Sequence, residues 1–221
     1  MSACCGNEAR FDGLSAEYKR RLWIVIGING VMFLVELIMG WIAQSKALQA
    51  DSLDFFGDFL TYSLSLAVIG APLRTRANVA LLKGFSLLLM GSWIAVTTIS
   101  AILTTTSVLP NAGSNGALPI PEADIMGVVA FTALLANLAS VFVLARYKDG
   151  DANVRSVWLC SRNDAIGNVA VMIAALGVWG TSTSWPDFIV AMIMASLFLF
   201  SSVQIIRQAL DERNQPEALP N

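Results

Sequence analysis

Residues 22–43 read LWIVIGINGVMFLVELIMGWIA, a run of 22 residues broken by only two strongly polar side chains, Asn29 and Glu36. As a helix rising about 1.5 Å per residue, this run is about 33 Å long, enough to cross the roughly 30 Å hydrocarbon core of a bilayer. Five further runs follow the same pattern: Leu53 to Ala71, Val79 to Leu103, Ile125 to Ala145, Val157 to Val178, and Phe188 to Ile206. They are apolar on nearly all sides, with no alternation of apolar and polar residues, so helices satisfy the backbone in lipid and a membrane barrel does not fit. The fold class expected is all-α, a polytopic membrane protein with six transmembrane helices. The organisation expected is a leader over residues 1–21, a membrane domain over 22–206 and a short tail over 207–221. The leader has no short apolar stretch ending in a small-residue cleavage site, so the first helix is expected to stay in the mature protein.

Composition points the same way. Of 221 residues, 56% are hydrophobic and 14% charged, and the mean hydropathy is +0.64; soluble domains carry about 25% charge, so a soluble enzyme is not expected. With 14 basic against 16 acidic residues there is no excess positive field to hold a polyanion, and no nucleic-acid partner is expected. The 3 cysteines, two of them adjacent at Cys4 and Cys5, make no disulfide framework, and their reading is a pair in a terminal leader without an essential role. The absence of histidine excludes histidine-based triads and histidine-only zinc sites. No phosphate-cradling glycine loop suggests nucleotide-driven work.

Basic residues then set an orientation. Arg10, Lys19, Arg20 and Arg21 precede the first run, Arg74 and Arg76 fall between the second and third with Lys83 just inside the third, Arg146, Lys148 and Arg155 fall between the fourth and fifth, and Arg207 and Arg213 after the sixth. The opposite loops carry Lys46 alone, so both termini are expected to face the cytoplasm.

Acids inside apolar runs need a reason, because each aspartate at bilayer depth costs about 2.5–3.5 kcal/mol on insertion scales. Glu36, Asp54, Asp58 and Asp164 are such residues. Asp54 and Asp58 are one helical turn apart and share a face; Cys160 and Asp164 repeat the spacing. The second and fifth helices run in opposite directions, and both pairs lie about 12–18 Å from their helix starts, near the bilayer midplane. Two facing pairs offer four ligands, the number a tetrahedral divalent ion takes. Against this stands the plainer reading of each acid as hydrogen-bonded glue between helices, and of Cys160 as a small hydrophobe. Asp51 and Asp187 read as helix-end acids favoured by capping and the helix dipole. Asn29, Asn137, Asn163 and Asn168 read, with Glu36, as interhelical glue or as orienters of ligands. Arg162 points away from Cys160 and is not a ligand.

The stretch SKALQADSLD at residues 45–54, followed by Asp58, resembles the second-helix signature of the cation diffusion facilitator transporters. Asn29 and Glu36 resemble that family's first-helix polar positions, RSVWLCSRNDA at 155–165 its fifth-helix motif, and Trp185-Pro186-Asp187 its entry to the sixth helix. The resemblance implies a six-helix, usually dimeric secondary transporter that exports divalent transition metal from the cytoplasm in exchange for protons. Residue by residue, it implies Asp54, Asp58, Cys160 and Asp164 as the transport site, with the metal as substrate and no permanent cofactor. Two departures stand out: the family commonly has histidine where Cys160 stands and often where Asp54 stands, and it usually ends in a folded cytoplasmic domain. A dimer is therefore expected to rely on membrane contacts.

Three carboxylates and a thiol suit zinc, and cadmium more strongly through sulfur, whereas magnesium and calcium prefer all-oxygen shells. Cobalt, iron, manganese and nickel remain alternatives, since affinity across the series is graded. Crowded carboxylates in an empty site are expected to hold protons that an arriving dication displaces. The rival readings are a membrane-embedded hydrolase using the acid pair, a non-transporting scaffold, and a channel; a channel needs a continuous polar path, and one midplane cluster between apolar flanks is closer to an occluded site. A bacterial inner membrane is the expected location.

Overall fold

The computed structural model describes residues 16–67, 73–108, 119–145 and 152–214. Six helices account for nearly all of them: α1 Ala16–Ile42, α2 Lys46–Ala67, α3 Leu73–Val108, α4 Ala123–Leu144, α5 Ala152–Thr181 and α6 Trp185–Asn214; the described residues contain no strand. Five of the six are long and apolar enough to cross a membrane by length and composition, the exception being α2. The helices outrun the apolar segments. α3, for example, begins at Leu73 and takes in Arg74 and Arg76, residues a hydropathy reading leaves in a link.

The exception explains itself by packing. α2 lies against α1, α3, α5 and α6, so its acids and amides face protein. From Ala47 to Leu53 every side chain of α2 is buried, although the stretch includes Gln49, Asp51 and Ser52. The outer helices show the opposite pattern: large apolar side chains such as Leu89, Phe142, Leu176 and Trp179 are exposed, which a hydrocarbon surrounding would cover. The remaining strong pairings are α3 with α6 and α4 with α5. α3 approaches α6 closely because Gly84 and Gly91 lie at the contact; a Cβ at Gly84 would stand 2.7 Å from Ile206 Cγ1 and one at Gly91 3.2 Å from Phe198 Cβ.

The turn from α1 to α2 is short. Gln44 takes a left-handed φ of 56°, the Ser45 N–H donates to the Gly40 carbonyl at 3.0 Å and the Gln44 N–H to the Trp41 carbonyl at 3.3 Å, the double bond that closes a helix end over a left-handed residue. α2 then starts at once. Ser45 caps it, its hydroxyl accepting from the Leu48 N–H at 3.0 Å, while the Lys46 and Ala47 N–H groups donate to the Asp187 carboxylate at 2.8 and 3.0 Å. The Ser45 hydroxyl donates to the same carboxylate at 2.6 Å. The exposed N–H groups of the first turn of α2 are thus satisfied by a residue of α6. This corrects the reading of Asp187 as a cap for its own helix: the acid sits in the first turn of α6 and serves α2.

Candidate metal site

α2 carries Asp51, Asp54 and Asp58 at spacings of three and four, which stacks them along one helical face over about 10 Å. Asp54 and Asp58 lie about 12 and 18 Å from the start of a helix about 33 Å long, so both are near its middle. α5 crosses this face. Asp164, also about 18 Å from the start of its helix, meets both carboxyl groups, within hydrogen-bonding reach of Asp54 and of Asp58. Asp58 is buried; Asp54 and Asp164 are half-buried. Cys160 stands one turn before Asp164 on α5, and its side chain lies outside the described residues, as do those of Arg162 and Asn163. Among the described residues, no three His, Cys, Asp or Glu side chains close round a single point as a ready-made metal cage.

Neighbours shape these carboxylates. The Tyr62 hydroxyl, one turn beyond Asp58 and wholly buried, donates a hydrogen bond to Asp58 Oδ2. Lys83 of α3 is near enough to Asp58 for their charges to interact. On α5, Gly167 leaves open the space beside the acids: a Cβ there would stand 3.9 Å from both Asp51 Oδ1 and Asp54 Oδ2. Tyr62 was a residue that hydropathy passes over, though its position four after Asp58 places it on the same face.

Two expectations change. Asp51 is no helix-end acid: α2 begins at Lys46, and Asp51 lies in the second turn, fully buried and facing Glu36 of α1. The asparagines do not join helices as expected. Asn29 donates from Nδ2 to the Val25 carbonyl of its own helix at 2.8 Å, and both amide atoms of Asn137 and of Asn168 are buried without a hydrogen-bond partner.

Such an arrangement of carboxyls, drawn from two helices, can hold protons or a cation. The chain is similar to several known proteins. The zinc transporter ZitB of Escherichia coli K12 is 28% identical over 202 residues, covering 87% of this chain and 62% of the relative. The metal cation efflux system protein CzcD of Cupriavidus metallidurans is 23% identical over 203 residues, covering 87% of this chain and 61% of the relative. The zinc transporter ttm-1 of Caenorhabditis elegans is 23% identical over 207 residues, covering 84% and 50%. The chain therefore spans between half and about three fifths of the length of these curated relatives. A sequence model described as the cation efflux transmembrane domain matches residues 22–212, and the chain accordingly belongs to the cation efflux, or cation diffusion facilitator, family.

Proposed function

We propose that this chain exports a divalent transition-metal ion, zinc or cadmium first, from the cytoplasm in exchange for protons. Asp54, Asp58, Cys160 and Asp164 hold the ion. The observation that carries the reading is the meeting of Asp54 and Asp58 of α2 with Asp164 of α5. Two carboxyl groups within hydrogen-bonding reach can share a proton, one O–H donating to the other group's oxygen. The same oxygens are the ones a metal ion needs bare, so arrival of the ion releases the protons. The similarity to the zinc transporter ZitB and the metal cation efflux protein CzcD supports metal efflux, and the thiol at Cys160 favours zinc and cadmium over harder ions.

In this reading all six helices span the membrane, α2 included, since its polar face is covered by its neighbours. The N-terminal leader and the tail after residue 206 are cytoplasmic, the turn at Gln44 is outside, and the membrane is a bacterial inner membrane. Two copies pair through membrane contacts. Transport proceeds by rocking of helices about the midplane site.

The test is zinc and cadmium flux into proteoliposomes under an imposed proton gradient. Asp54→Ala, Asp58→Ala and Asp164→Ala are each expected to abolish flux, and each turnover is expected to move protons against the metal. Parental flux in all three variants, or flux indifferent to the gradient, overturns the proposal. Cys160→Ser is expected to lower cadmium flux more than zinc flux.

A further inference from the structure

Glu36 and Asp51 form a second acidic pair that the site above does not use. Glu36 comes from α1 and Asp51 from α2, both with 0% exposure, and they face each other within interacting distance. The two carboxyl groups are within hydrogen-bonding reach of each other, and among the described residues no N–H or O–H donor of another group reaches their four oxygens. The charges that bear on Glu36 are those of Asp51 and Asp54, both acidic. Two buried carboxyls without a basic partner are costly unless a shared proton or a cation sits between them. A third unpartnered group lies on the face of α5 that carries Asp164. Asn168 is wholly buried with both amide atoms unpartnered, and it lies four residues beyond Asp164, on the same face of α5.

The levels agree. α2 and α5 run in opposite directions, so stepping back three residues from Asp54 to Asp51 and forward four from Asp164 to Asn168 moves about 5–6 Å the same way, toward the turn at Gln44. Gly167, beside Asn168, lies against both levels: a Cβ there would stand 3.9 Å from Asp51 Oδ1 and from Asp54 Oδ2.

We infer that Glu36, Asp51 and Asn168 form a second divalent-cation station, one step outward of the transport site, which receives the ion after Asp54, Asp58 and Asp164 release it. Its donors are two carboxylates and an amide oxygen, with water completing the shell. An all-oxygen set holds a zinc-class ion more weakly than a set with sulfur, as an exit station requires, and it discriminates less between zinc and cadmium. Two dications so close repel strongly, so the stations are filled in turn.

The station presupposes the exporter reading, and the experiment separates their failures. Zinc binding is measured by equilibrium dialysis on the purified full chain in a Cys4→Ser, Cys5→Ser background, which removes the leader thiols as competing ligands. Asp58→Asn with Asp164→Asn is expected to leave one zinc equivalent bound, weaker by about 10- to 100-fold, and addition of Glu36→Gln and Asp51→Asn to abolish it. No residual binding in the first variant, or residual binding that survives the second, overturns the station. In proteoliposomes, Glu36→Gln is expected to lower the maximal zinc flux about tenfold with little change in KM, and Glu36→Asp to restore most of it. Parental flux in Glu36→Gln overturns the station alone; parental flux and parental zinc affinity in the Asp58→Asn, Asp164→Asn variant overturn the transport site itself.

Discussion

Replacing Asp187 by alanine should loosen the end of the bundle at the α1–α2 turn. The carboxylate accepts from the Ser45 hydroxyl at 2.6 Å, the Lys46 N–H at 2.8 Å and the Ala47 N–H at 3.0 Å, and it is itself fully buried. Hydrogen bonds to a charged acceptor contribute about 1.5–3 kcal/mol each, but three bonds to one carboxylate are not additive, and the Ser45 hydroxyl can turn to another acceptor. What cannot be replaced is the partner of two N–H groups at the start of α2, left bare in a dry interior. A net loss of about 3 kcal/mol follows, or about 6–12 °C in melting temperature for a chain of this size. Asp187→Asn keeps one acceptor oxygen and the shape, and should lose about half as much, about 3–6 °C. The assay is the fraction of detergent-solubilised protein that stays monodisperse after heating. Ser45→Ala gives the coupling: because Ser45 and Asp187 touch, the double variant should lose less than the sum of the singles. An Asp187→Ala protein melting within about 1 °C of the parent would refute the reasoning, since it would mean the first turn of α2 is capped some other way.

Tyr62→Phe removes the hydroxyl that donates to Asp58 and should weaken zinc binding about three- to tenfold, read by equilibrium dialysis, without a large change in fold. Gly84→Val drives a side chain into Ile206, whose Cγ1 stands 2.7 Å from the added Cβ, and should lower thermal stability by about 1–3 kcal/mol; no change in melting would show that α3 and α6 separate freely. Zinc at about 100 times its dissociation constant should stabilise the parent by about 2.7 kcal/mol and Asp164→Ala hardly at all, as measured by the same heating assay. That stabilisation should fade as pH falls, because protons compete for the carboxylates and the thiol, and stay unchanged only if the ion binds elsewhere.

Hydrophobic runs mark five of the helices well, because lipid-facing surfaces demand apolar side chains over a membrane's thickness. For α2 the apolar run opens only at Leu53, whereas the helix opens at Lys46, close to the start near Ser45 from which the depth of its acids is counted. The seven residues between are polar enough to pass for a link, and they are helical because Ser45 and Asp187 satisfy their N–H groups and neighbouring helices bury them. Helical spacing was enough to put Asp54 and Asp58 on one face, but the acid that α5 brings to them and the acid that α1 brings to Asp51 depend on how helices cross. Asp187 illustrates the limit most directly: its partners Lys46 and Ala47 are 141 and 140 residues away, a distance over which a local rule about helix ends has nothing to say.

The bundle is fastened mostly in pairs, α1 to α2, α4 to α5 and α3 to α6, while α2 and α5 touch only sparingly. If the proposed site holds the ion, its grip is assembled across the joint with the least mortar in the building. A slight swing of one hairpin would then pull the jaws apart without unpacking either hairpin.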